Sequence, residues 1–159
     1  MNVGAAQATG DVFWFLHADT RVPQQADELI LRAIEDRGGW GRFDVRLSGH
    51  HPLLRIIERC MNVRSRISGI ATGDQGIFIR RGLFEQLGGF ADIPLMEDVD
   101  LSRRLKNAKH QPVCLRQTVV TSSRRWEQRG ILRTVVLMWY LRLAYFLGVP
   151  ADRLAARYE

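Results

Sequence analysis

The chain has 159 residues, the length of one ordinary domain. With 46% hydrophobic and 25% charged residues, 14 glycines and 5 prolines it sits at the globular average, which excludes collagen-like, low-complexity and disordered classes. Two cysteines, Cys60 and Cys114, stand far apart with no Cys-x-x-Cys or Cys/His cluster, so a disulfide scaffold and a structural zinc site are excluded and a reducing cytoplasm is expected. The 23 basic against 17 acidic residues, net +6, point to an anionic partner, yet no run of five Lys/Arg and no short nucleic-acid signature occurs, so nucleic acid is not the expected partner.

Residues 2–9 read as an Ala-rich helix stopped by Gly10, followed at once by a buried strand over 12–16. Domains seldom open this way, and the expectation is that sequence precedes Met1. A polar loop from His17 to Thr20 leads to a helix opened by Pro23, with Leu29, Ile30, Ala33 and Ile34 on one face and Gly38-Gly39 at its end. A strand follows over 40–47. Pro52 then opens a helix carrying Leu53, Leu54, Ile57 and Met61. Residues 68–74 read as a loop, 77–79 as a short strand, and Leu83, Phe84 and Leu87 as a short helix closed by Gly88-Gly89. A helix from Glu97 carries acids in its first turn and bases toward its end, with Leu101 and Leu105 facing a core. Two short strands, 113–115 and 119–121, precede Ser122 to Trp126. A long apolar helix over 131–147 and a short one opened by Pro150 complete the chain. Strands alternating with helices predict an α/β layer fold with a mixed sheet. The long helix approaches membrane-span length, but Arg133 and Arg142 lie on opposite faces, which argues against spanning; a mostly buried structural helix is the expectation.

His17 and Asp19 follow the first strand, where α/β folds set ligands at strand carboxyl ends. An imidazole and a carboxylate there suit a divalent cation that neutralises a diphosphate. The same segment equally suits a turn in which Asp19 or Thr20 caps the next helix. Glu97, Asp98 and Asp100 crowd one helix start. Complementing the helix dipole needs only one or two acids, whereas acids this close raise one another's pKa, which suits a general base acting on a hydroxyl. Arg124, Arg125 and Trp126 suit a diphosphate and a packed sugar or acceptor; the alternative is a salt bridge to Glu127 and a packing indole. Residues 69–76 (GIATGDQG) are glycine-rich but lack the Walker lysine and the GxGxxG spacing, and read either as a substrate-facing loop or as a plain turn.

Taken in order, residues 2–19 (NVGAAQATGDVFWFLHAD), 73–81 (GDQGIFIRR), 84–101 (FEQLGGFADIPLMEDVDL) and 121–127 (TSSRRWE) resemble the C-terminal two-thirds of a GT-A-fold glycosyltransferase of family 2, in the bacterial branch associated with radical-SAM/selenodomain proteins. The resemblance implies one partial domain over 1–159, metal and acceptor half, with a Rossmann-like mixed sheet flanked by helices and truncated at its N-terminus. It implies inverting transfer from a nucleotide-diphosphate sugar to a hydroxyl acceptor. Asp19 matches the second aspartate of the DxD metal motif, His17 stands where the first is usual, and the implied cofactor is a divalent cation, Mn or Mg. Asp98 matches the catalytic base, with Glu97 orienting the site. Arg124, Arg125 and Trp126 resemble a shortened Gln-x-x-Arg-Trp segment near the diphosphate or acceptor, and Gly73, Asp74 and Gln75 would line the acceptor side. The family's opening strands, which hold base and ribose, have no counterpart here, so another chain or segment is expected to supply them. The expected partners are the nucleotide sugar and an acceptor that includes lipid-linked types, in a cytoplasmic protein with room for peripheral membrane contact and for a homodimer. The alternative is an inactive fragment, or a basic peripheral membrane or regulatory module without catalysis.

Overall fold

The computed structural model describes residues 1–158. In chain order the elements are α1 Asn2–Gln7, β1 Val12–Trp14, α2 Ala26–Arg37, β2 Trp40–Leu47, α3 Pro52–Ser68, a 3-10 turn Gly73–Gln75, β3 Phe78–Arg80, α4 Arg81–Gln86, α5 Glu97–Asn107, β4 Val113–Thr121, α6 Arg124–Arg129, α7 Ile131–Phe146 and α8 Ala151–Tyr158. The strands form one mixed sheet in the order β1-β3-β2-β4. β3 runs antiparallel to both neighbours and β2 runs parallel to β4, so β1, β2 and β4 point the same way and end at one edge. The fold is therefore α/β with a mixed sheet, as the alternation of elements predicts.

Strand alternation sends side chains to two cores. Phe13, Trp40, Ile77 and Ile79 pack with Phe84, Phe90, Leu101 and Leu105 beneath α4 and α5. Phe43, Phe78 and Val119 pack on the other face with Ala26, Ile30, Ala33 and Ile34 of α2. A third cluster, Ile70, Met96, Val99, Leu141, Ala144 and Leu154, ties α5 to α7 and α8.

Beyond Gly41, no strand among the described residues pairs with β2 on its β3 side. Side chains from α3 take that place. Asn62 accepts from the Val45 amide at 2.9 Å and donates to the Val45 carbonyl at 3.0 Å. Glu58 accepts from the Leu47 amide, and Arg55 donates to the Leu47 carbonyl at 2.7 Å. These contacts satisfy backbone groups that a buried strand cannot leave unpaired, and they lay α3 across the sheet's edge.

Four details differ from expectation. α2 begins at Ala26, not Pro23, because Arg21 exchanges two 2.8 Å backbone bonds with Val120 and holds the chain extended, and Gln25 turns left-handed (φ 55°) before the first helical residue. β1 is shorter, Phe15 keeping only the bond from its amide to the Ile77 carbonyl. The two strands expected at 113–115 and 119–121 are one strand: Leu115 faces Phe43 and Thr118 faces Asp44, so Arg116 and Gln117 are looped out between them. α7 is not mostly buried; only Thr134, Leu141 and Ala144 are fully covered, while Leu132 (69%), Trp139 (73%) and Leu147 (76%) stand open. Among the described residues no helix is long and apolar enough to cross a membrane.

Candidate functional site

The shared edge of β1, β2 and β4, with the entry to β3, opens into a cleft of about 1120 Å³. Its lining includes His17 and Asp19 after β1, Gly73 and Asp74 before β3, Glu97 and Asp98 at the start of α5, and Arg124, Arg125 and Trp126 after β4. Nine of the ten residues singled out from sequence thus share one cavity. The tenth, Gln75, does not: it is fully buried, accepts from the Thr72 amide at 3.2 Å and donates to Ser65 Oγ at 3.0 Å. Its amide needs those partners because it sits where water cannot reach, so Gln75 braces the loop against α3 and is not part of the cleft lining.

Asp98 is held most firmly. Its Oδ2 accepts from the Gly73 amide and its Oδ1 from the Val99 amide, both at 2.7 Å. Met96, immediately before α5, takes the left-handed conformation (φ 70°, ψ 18°) although it is not glycine, and is anchored by burial in the third cluster. Gly73 is required by close approach: a Cβ there would lie 2.8 Å from His17 Nε2 and 3.7 Å from Asp98 Oδ2. Asp100, the third acid of the run, has a separate task. It pairs with Arg104 Nε at 2.7 Å, and that guanidinium also donates to the Leu87 and Gly89 carbonyls.

His17 Nε2 lies 3.9 Å from Asp74 Oδ1. Burial raises the pKa of Asp74, with Asp98 and Asp19 pushing the same way while His17 and Arg142 pull it down. Burial likewise raises Glu97, and the charge of Asp98 adds to the effect. Among the described residues no three His, Cys, Asp or Glu side chains converge as a self-sufficient metal cage. The imidazole of His17 and the carboxylates of Asp19 and Asp74, all in the lining of the cleft, are the donor types that Mn or Mg takes when substrate oxygens complete its shell. By donor chemistry, not by a preassembled cage, His17 and Asp19 suit such an ion.

Arg124 and Arg125 are exposed at the rim, Arg125 stacking on the Tyr158 ring at 4.6 Å, and Glu127 accepts the Ser123 hydroxyl at 3.1 Å. Two further arginines were not legible from sequence. Arg64 of α3 and Arg142 of α7 line the cleft, and Nε and Nη2 of Arg64 and Nε of Arg142 are buried without a hydrogen-bond partner. Burial and the charge of Arg142 push Arg64 down to about 10, and burial lowers Arg142 against the opposing pull of Asp98 and Asp74. The only signal in the sequence is that Arg142 interrupts an apolar helix. Arg64 is one of four arginines on α3, and nothing local tells it from the others.

Compared with protein-family models and with curated proteins, the chain matches none.

Proposed function

We propose that the chain is the metal and acceptor half of a GT-A-like, inverting glycosyltransferase that uses a nucleotide-diphosphate sugar and a hydroxyl acceptor. The observation that carries this reading is the Asp98 carboxylate, fixed by two backbone amides in the lining of a cleft that also holds His17, Asp19 and the arginines. A base aimed in this way loses little entropy when a hydroxyl arrives. In the proposed step the acceptor O–H gives its proton to Asp98 as its oxygen bonds to the anomeric carbon. The bond from that carbon to the diphosphate oxygen breaks, and the nucleoside diphosphate leaves with the electron pair. Arg124 and Arg125 would counter the charge developing on the leaving group. His17 and Asp19 would hold a divalent cation, which when bound would neutralise the diphosphate.

The test is transfer from nucleotide sugars, with Mn or Mg present, by the chain together with the segment or partner that supplies the base-and-ribose half. Asp98→Asn is expected to lower the rate by about 10²–10⁴-fold while the circular dichroism spectrum is kept. Transfer retained by that variant overturns the assignment of the base. The open apolar side of α7 favours a second reading, a peripheral module without catalysis, and this one predicts no transfer under any donor even when that half is supplied.

A further inference from the structure

We propose that the cleft is a site for a phosphorylated amphiphile, with its phosphate on Arg64 and Arg142 and its apolar chain along the walls made by α3 and α7. For a role in transfer this rests on the reading above; as a binding site it does not.

The head is argued from the guanidinium groups. Three of their N–H positions are buried and unpaired, and no carboxylate among the described residues lies within ion-pair distance of either arginine. Buried unpaired donors on charged groups are costly, and an anion with several acceptor oxygens satisfies them together. Burial and mutual repulsion already depress the pKa of Arg64 to about 10, a tension that a bound anion relieves.

The chain is argued from the walls. Ile56, Ile57, Cys60 and Met61 of α3 and Val135 and Met138 of α7 line the same space. A free phosphate or nucleotide would use the arginines and leave these walls wet. Leu132 and Trp139 belong both to the cleft lining and to the exposed side of α7, which continues through Val136, Leu143, Phe146 and Leu147. At about 100° per residue these six fall within an arc of about 100°, one continuous apolar stripe. The cleft therefore opens on an apolar surface of the kind that lies in the headgroup layer of a bilayer, where such a molecule resides. Arg157 stacks on Tyr140 at 5.3 Å beside the stripe, a cation placed to face anionic headgroups.

The experiment titrates the full chain with dodecyl phosphate below its micelle concentration, dodecanol below its solubility limit and inorganic phosphate, and follows heat and tryptophan fluorescence. Dodecyl phosphate is expected to bind at least about tenfold tighter than either of the others. Arg64→Gln and Arg142→Gln are each expected to weaken it by about tenfold or more. Met138→Ser should weaken dodecyl phosphate and leave inorganic phosphate unchanged. Should a glutamine variant fail to fold, Arg64→Lys, which keeps the charge but not the planar fork, must still lower the affinity. Equal binding of inorganic phosphate, equal binding of dodecanol, or folded arginine variants with unchanged affinity would each overturn the proposal. No donor sugar is present in this assay. Tight dodecyl phosphate binding with no transfer even when the base-and-ribose half is supplied therefore counts against the transferase reading alone, and transfer without dodecyl phosphate binding counts against this one alone.

Discussion

Asp74 is a carboxylate kept under strain. Burial, with Asp98 and Asp19 adding to it, raises its pKa in the fold, so the folded chain holds that proton more readily than the unfolded one. The cost of the ionised form is fully present above the raised pKa and fades as the pH falls through it. Because the Asp74 side chain is still 43% exposed, solvent screens much of this cost, so Asp74→Asn is expected to raise the melting temperature only slightly at neutral pH, and the gap from the parent should close as the pH is lowered through the carboxyl's range. Calorimetry across a pH series checks this, and a lower melting temperature for the variant at neutral pH would refute it. Gly73 is the complementary case. Its missing Cβ leaves room for His17 Nε2, so Gly73→Ala should displace the imidazole, disturb the amide that holds Asp98 and lower transfer by about tenfold or more, with little change in stability. A rate equal to the parent's would show that the close approach has no role in the reaction.

At the scale of elements, α3 substitutes for a missing strand. The carboxamide of Asn62 makes both hydrogen bonds that a neighbouring peptide would give Val45. Asn62→Ala leaves two backbone groups without partners, for an expected loss of about 1–3 kcal/mol in denaturant unfolding. A loss within error would mean that water takes over both bonds. The elements were legible where one period ran unbroken: β2 falls on 40–47 as read from its pattern. They were not legible where tertiary pairing overrode local signals. Pro23 looks like a helix start, but the bridge from Arg21 to Val120 keeps the chain extended past it. Arg116 and Gln117 read as a break between strands because the strand bulges there and exposes them. For the site, residues next to strand ends and helix starts could be read from their place in the chain. Arg64 and Arg142 could not, since each lies within a long helix and only packing decides which way it turns. Gln75 erred in the opposite sense, as the loop that presents Gly73 and Asp74 to the cleft turns its next side chain inward.

For the whole molecule, the cleft is one space shared by groups that act separately: acids at the ends of β1 and α5, arginines on α3 and α7, and an apolar rim. Cys60 is an exposed thiol within that space, whereas Cys114 is half-buried on β4 and outside the lining. A bulky maleimide on Cys60 should therefore fill the α3 wall and abolish dodecyl phosphate binding, while Cys60→Ser removes the sensitivity and keeps binding. Mass spectrometry of the labelled chain followed by titration checks this, and full binding by the Cys60 adduct would show that the wall is not used.

The left-handed turn at Met96 joins these regions mechanically. Glycine would adopt that conformation without strain, but its side chain could not reach Leu141 and Leu154, and the burial lost exceeds the roughly 1 kcal/mol of strain released. The aim of Asp98 is thus set by how tightly α7 and α8 grip a methionine two residues away. A molecule seated against α7 would therefore be felt at the Asp98 carboxylate without touching it.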